Sequence, residues 1–151
     1  MIKQRICIVG DGLSGLMTAA VLAKVPGIEV NLIAKKGTKI ADKRTTAISD
    51  TNFKFINQNI TTLGQKLFWP SKKIELFYET SKEKINFLNL NEANSNLMYV
   101  FENDKVKSLL LKEISKSKIK LIRKNVKNSD ELKNYDLIVL CLGGQSKIYD
   151  K

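Results

Sequence analysis

Gly10-Asp11-Gly12-Leu13-Ser14-Gly15 carries the clearest chemical pattern in the chain. Glycines at the spacing G-x-G-x-x-G suit a backbone that must come close to phosphate. Gly10 permits a tight turn, Gly12 leaves room for a pyrophosphate against the main chain, and Gly15 lets the following segment pack on a strand. A helix starting here would aim its first N–H groups, at Leu13 and Ser14, and its positive dipole end at the same anion. The pattern points to a dinucleotide. A glycine turn without a ligand is the competing reading.

Other residues extend or limit that chemistry. A dinucleotide fold should carry Asp or Glu about 20 residues beyond the glycines, to hold ribose hydroxyls. Here Leu32-Ile33 is followed by Ala34, Lys35 and Lys36. Lys35 suits a phosphate or a phosphorylated ribose, or is a solvated loop lysine. Further on, Asp42-Lys43-Arg44-Thr45-Thr46-Ala47-Ile48-Ser49 places an arginine beside small hydroxyl residues, which suits a second phosphate contact. The chain has no histidine. That excludes Ser-His-Asp and Cys-His catalysis and the common zinc motifs, so chemistry must come from other groups or a bound cofactor. Cys7 and Cys141 each lie in an apolar run, too far apart in sequence for a CxxC motif, and read as buried free thiols in a reducing compartment.

These residues need a frame. Arg5–Val9 is a β-branched run typical of a buried parallel strand. Leu16–Ala23 reads as a helix ended by Pro26-Gly27, and Glu29–Ile33 as the second strand of a βαβ unit. Lys35–Lys43 is a polar loop. A helix is expected over about 50–63, with Phe53, Ile56 and Ile60 on one face. Trp69-Pro70 breaks the pattern. Ile74–Tyr78 and Ile85–Leu88 suit an antiparallel hairpin. Met98–Phe101 reads as a strand and residues 104–116 as a helix with Val106, Leu109, Leu110 and Ile114 inward. Ile119–Ile122 and Leu137–Cys141 complete a parallel sheet. The expected fold is α/β, Rossmann-like, with an inserted hairpin.

The 151 residues suffice for one domain with a core, and 43% hydrophobic with 27% charged residues is ordinary for a water-soluble protein. Met1-Ile2-Lys3-Gln4-Arg5 runs straight into a strand without an apolar leader, which reads as cytoplasmic. The net charge of +11 comes from dispersed lysines, with only Arg5, Arg44 and Arg123 as arginines. No basic helix with interleaved aromatics is present, so nucleic acid is not an expected partner. The charge better suits peripheral attachment to the anionic inner face of a membrane.

The Asp42–Ser49 segment closely resembles the D-x-R-x-x-A-L-S signature of the flavin hydroxylases of ubiquinone biosynthesis, within the class resembling para-hydroxybenzoate hydroxylase. Glu102-Asn103, with Val106 and Leu110, is similar to that family's E-N-x-x-L-x-x-x-L stretch. The likeness covers essentially the whole chain. It implies an FAD-binding domain in which residues 70–100 contribute to a substrate-domain sheet, with the rest of the enzyme lying beyond Lys151. It also implies an NAD(P)H-dependent monooxygenase in which reduced FAD and O2 hydroxylate the ring of a polyprenyl-phenol substrate, within or beside a ubiquinone-synthesis complex. The FAD contacts it implies are Gly10, Gly12, Leu13, Ser14, Gly15, Lys35, Arg44, Thr45, Ala47, Asn103 at the flavin's ribityl chain, Val126 at the adenine, and Gly143. Specific catalytic residues and metal ligands are not implied.

Two positions depart from the family. Ala34 stands where it has the ribose carboxylate. In Leu142-Gly143-Gly144-Gln145-Ser146, Gly143 stands where the family's A-D-G-x-x-S segment has Asp. These departures favour a non-catalytic member of a ubiquinone-synthesis complex as one alternative; another FAD- or NAD(P)-dependent oxidoreductase of this fold is a second.

Overall fold

The computed structural model describes residues 3–36 and 42–143, apart from the side chain of Gln65. The chain divides into two compact units, one of residues 1–42 and 104–151 and one of residues 43–103.

The first unit is built on a four-stranded parallel sheet. Its strands are β1 (Gln4–Val9), β2 (Ile28–Ala34), β8 (Lys120–Arg123) and β9 (Leu137–Leu140), in the order β8-β2-β1-β9. Parallel strands end on the same edge, so the turns after β1, β2, β8 and β9 gather at the carboxyl edge. The register pairs Val9 with Ile33 and Leu140, and Ala34 with Arg123. Ile6, Cys7, Ile8 and Val9 are all buried, as a continuous apolar run in a covered parallel strand should be. Helix α1 (Leu13–Leu22) buries Gly15, Leu16, Ala19 and Ala20. That spacing puts small residues on one face, so the helix backbone approaches the sheet closely. The helix stops at Leu22, ahead of Pro26-Gly27, and Gly27 turns the chain at φ 80°. Helix α3 (Asn103–Ser115) fully buries Val106 and Leu110 and nearly buries Ile114, while Leu109 is half-buried.

The second unit holds two antiparallel sheets. Strands β3 (Thr45–Ser49), β4 (Trp69–Ser71) and β7 (Met98–Glu102) form a sheet in the order β3-β7-β4. The expected break at Trp69-Pro70 is instead a short strand. Proline is tolerated there because β4 lies at the sheet's edge, where a missing N–H costs no ladder bond. Helix α2 (Asp50–Asn59) is capped by the Ser49 hydroxyl, which accepts from the Asn52 N–H at 3.2 Å. It ends earlier than its apolar pattern suggests. The Asn57 carboxamide oxygen accepts from the Leu63 N–H at 2.8 Å, and Ile60 and Leu63, in the irregular segment after the helix, are buried. Phe53 stacks on Tyr99 with ring centroids 3.8 Å apart.

Strands β5 (Lys73–Glu79) and β6 (Lys84–Asn91) form the expected hairpin as a separate two-stranded sheet, with an irregularity between Leu76 and Phe77. Phe77, Tyr78, Ile85 and Phe87 are exposed on it. Among the described residues, no helix is long and apolar enough to cross a membrane.

Candidate functional site

The glycine loop sits at the carboxyl edge of the parallel sheet, where β1 hands over to α1. The Gly10 N–H donates to the Ile33 carbonyl at 2.8 Å, which fastens the loop to the neighbouring strand. Gly10 has φ 118°, and a Cβ added there would lie 2.1 Å from the Cys141 carbonyl oxygen. A Cβ on Gly15 would lie 2.0 Å from the Gly10 carbonyl oxygen. Both glycines are therefore demanded by the protein itself, one by turn geometry and contact, the other by contact alone.

Gly12 is different. It caps α1 at φ −71° and ψ 175°, a conformation open to any residue, and a Cβ there would meet nothing within 4 Å. Neither conformation nor packing requires glycine at this exposed position, so the backbone here is bare toward open space. The Leu16 N–H is bonded to the Gly12 carbonyl at 3.0 Å. The amides of Leu13, Ser14 and Gly15 lie in the first turn, which has no carbonyl one turn back to receive them. With no acidic residue in that first turn, the helix end keeps its positive character.

Around the loop the charges are mostly basic. Asp11 Oδ2 lies 3.4 Å from Arg123 Nη1 and 3.7 Å from Lys107 Nζ. Lys35 and Lys36 are exposed after β2, and the Lys36 N–H donates to Asn125 Oδ1 at 3.0 Å. The Lys124 N–H donates to the Ala34 carbonyl at 2.9 Å, while its ammonium pairs with Glu131 at 2.5 Å. Ala34 itself is fully buried at the end of β2. Val126 packs beside Cys7, Val9, Ile33 and Leu132. Gly143 turns the chain after β9 at φ 72°; Gly144, Gln145 and Ser146 lie outside the described residues.

Within the second unit, the antiparallel pairing of β3 with β7 sets Thr45 opposite Glu102. This brings together two segments far apart in sequence. The Asn103 N–H donates to the Arg44 carbonyl at 3.0 Å. The Thr46 hydroxyl donates to Asn103 Oδ1 at 2.6 Å, and Asn103 is buried. Arg44, just before β3, is exposed, and so are Thr45 and Ala47, alternate residues on one face of this edge strand.

Sequence reasoning singled out neither Thr46, Asp11, Lys107 nor Arg123. Thr46 lies inside the signature, but its spacing names no partner for it. The others are linked across the fold, and no spacing rule joins a loop residue to the end of a strand more than a hundred positions away.

The thiols are not arranged for chemistry. Burial pushes Cys7 up to about 11, with the Lys124 charge pulling the other way, and burial also raises Cys141. Both are free cysteines. Among the described residues no grouping of His, Cys, Asp and Glu suits a metal ion.

Residues 3–129 match the family model described as FAD binding domain. The chain belongs to this FAD-binding family. Its cofactor is accordingly FAD. Curated protein sequences give no match. Solved structures share the fold at low identity. The p-nitrophenol 4-monooxygenase from Pseudomonas putida DLL-E4 is 14% identical with a TM-score of 0.58, covering 79% of this chain and 31% of its own. A tetrameric 2-methyl-3-hydroxypyridine-5-carboxylic acid oxygenase is 13% identical with a TM-score of 0.61, covering 80% and 31%. A tryptophan halogenase from Shewanella frigidimarina NCIMB 400 is 13% identical with a TM-score of 0.62, covering 93% and 43%. The chain thus spans less than half the length of each of these proteins.

FAD fits the residues at one end of the site and lacks an expected partner at another. The bare Gly12 backbone and the open first turn of α1 suit its pyrophosphate. At the end of β2, the buried Ala34 methyl offers nothing to a ribose hydroxyl.

Proposed function

We propose that this chain is the cofactor-binding part of an FAD-dependent monooxygenase that uses NAD(P)H and O2 to hydroxylate the aromatic ring of a polyprenylated ubiquinone precursor. One observation carries the choice within the wider FAD-binding family. The two segments that resemble the ubiquinone-pathway hydroxylases, Asp42–Ser49 and Glu102-Asn103, meet where Thr45 of β3 pairs with Glu102 of β7, and the Thr46–Asn103 hydrogen bond ties them. Two of the fold relatives support the oxygenase class, since their names describe a monooxygenase and an oxygenase of aromatic compounds.

The residues divide the work as follows. Gly12 and the amides of Leu13, Ser14 and Gly15 receive the pyrophosphate, while Gly10 shapes the turn that presents them. Arg44, Thr45 and Ala47 are the second phosphate-side group. Asn103 is assigned to the ribityl chain, and Thr46 fixes its carboxamide by occupying Oδ1. Val126 lies toward the adenine, Lys35 toward phosphate or solvent, and Gly143 at the turn after β9. When bound, FAD would supply the redox and oxygen chemistry. The substrate would be an electron-rich phenol with a polyprenyl tail, met at the inner membrane face beside a ubiquinone-synthesis complex. The excess of lysine favours such an anionic surface.

The test is oxygen uptake by the complete protein with FAD, NADH or NADPH, and a polyprenyl phenol. Substrate-dependent uptake with a hydroxylated product is expected. NAD(P)H oxidation that no phenol stimulates would remove the hydroxylase assignment and favour another oxidoreductase of this fold.

A second reading has its own observation. Ala34 and Gly143 stand where the hydroxylases carry carboxylates, which favours a non-catalytic member of the same complex. Hydroxylation by the purified complete protein would dismiss it.

A further inference from the structure

The adenosine ribose of FAD brings two hydroxyl groups that lose water on binding and then need acceptors. In dinucleotide folds a carboxylate at the end of the second strand accepts from them. That position is the fully buried Ala34, and the exposed residues that follow, Lys35 and Lys36, have donors but no acceptor in their side chains.

A carboxylate nevertheless reaches this place from the loop. Asp11 follows β1, and its Oδ2 meets Nη1 of Arg123, the last residue of β8, at 3.4 Å. In the sheet order β8-β2-β1, strand β2 lies between them. Arg123 is also the register partner of Ala34. The Asp11–Arg123 contact therefore passes across the carboxyl end of β2, with neighbouring strands only about 4.8 Å apart. Lys107 approaches the same Oδ2 at 3.7 Å. Both cations fall on Oδ2, and among the described residues Oδ1 has no partner. The side chain keeps 21% of its surface exposed.

An acid in a phosphate-receiving loop repels the ligand unless neutralised, and two cations held on one oxygen do that while leaving the other able to accept.

We infer that Asp11, neutralised and aimed by Arg123 and Lys107, accepts hydrogen bonds from the adenosine ribose of FAD in place of the carboxylate missing at Ala34. This rests on FAD occupying the glycine loop. Arg123 is a positioning residue acting through Asp11.

The experiment titrates the full chain, and its Asp11→Ala and Asp11→Asn variants, with FAD and with an FAD analogue whose adenosine lacks both ribose hydroxyls. Binding is followed by flavin fluorescence, and thermal unfolding is recorded alongside. The unaltered chain is expected to prefer FAD by about 10- to 100-fold, the range of a charge-assisted hydrogen bond. Asp11→Ala should bind FAD weaker by a similar factor and bind both flavins alike. Asp11→Asn, matched in shape, should fold normally and retain only part of the preference. If Asp11→Ala weakens both flavins equally and keeps the preference, Asp11 is merely structural and the inference is overturned. Unchanged FAD affinity in Asp11→Ala overturns it too. Failure of the unaltered chain to bind FAD overturns the loop site and this inference together.

Discussion

Replacing the loop glycines one at a time should separate folding from cofactor binding. A Cβ on Gly15 lies 2.0 Å from a backbone carbonyl oxygen, against an ordinary contact of 3.4 Å or more. Helix and loop must part by about 1.4 Å, the difference between those distances. Neither side is a flexible side chain, so Gly15→Ala should cost about 3 kcal/mol, the upper end for overpacking. For a chain of this size that lowers Tm by about 6–12 °C. Gly12→Val meets no protein atom and needs no unusual φ. Its weaker cap costs at most about 1 kcal/mol, partly offset by a less flexible unfolded chain, so Tm should fall by under about 4 °C. Its isopropyl group would stand where the pyrophosphate approaches, so FAD affinity should drop at least about 100-fold, or about 2.7 kcal/mol. Differential scanning fluorimetry and flavin fluorescence titration read the two effects separately. Equal destabilisation by Gly12→Val and Gly15→Ala, or FAD binding by Gly12→Val like that of the unaltered chain, would refute these separate roles.

Other expectations concern both units. Arg44→Ala should weaken FAD binding by about 10- to 100-fold, the worth of charge-assisted hydrogen bonds, with Tm nearly unchanged; an unaltered dissociation constant would return Arg44 to the role of a surface residue. Thr46→Val removes the 2.6 Å bond to buried Asn103 and should cost about 1–2 kcal/mol in denaturant unfolding; no loss would show that this contact does not hold Asn103 in place. Because burial raises Cys7 to about 11, the unfolded chain releases this thiol proton at lower pH than the native one. The resulting stability is complete below the ordinary thiol value and is lost as pH rises toward 11. Cys7 should accordingly resist a disulfide reagent at pH 8 until the chain unfolds, and rapid native labelling of Cys7 would contradict its burial. Ile85→Lys with Phe87→Lys should raise the concentration at which the protein aggregates, since both residues are exposed on the hairpin. A Tm drop of many degrees in that double variant would show that these side chains pack in solution.

The parallel sheet was legible because its signals are local. β-branched runs at Ile6–Val9 and Val30–Ile33 mark covered strands, and the glycines between them mark the crossover turn. The hairpin was legible from its two apolar runs separated by polar residues. Strands β3 and β4 were not. Thr45–Ser49 is too short and too weakly alternating to announce a strand, and shows itself as one through its pairing with β7; Trp69–Ser71 contains a proline that usually signals interruption. The early end of α2 depends on Asn57 capturing the Leu63 N–H, which apolar periodicity does not reveal. The site divides the same way. The loop glycines declared themselves by spacing, while the Asp11–Arg123 and Thr46–Asn103 links exist only because distant strands lie side by side.

If the glycine loop holds the pyrophosphate of FAD, recognition depends on the adenosine diphosphate half of the molecule. Isothermal calorimetry of the full chain against FAD and against FMN tests this directly. Saturable one-to-one binding of FAD with little or no binding of FMN is the expected result. Equal binding of the two flavins, or no binding of FAD, would contradict it.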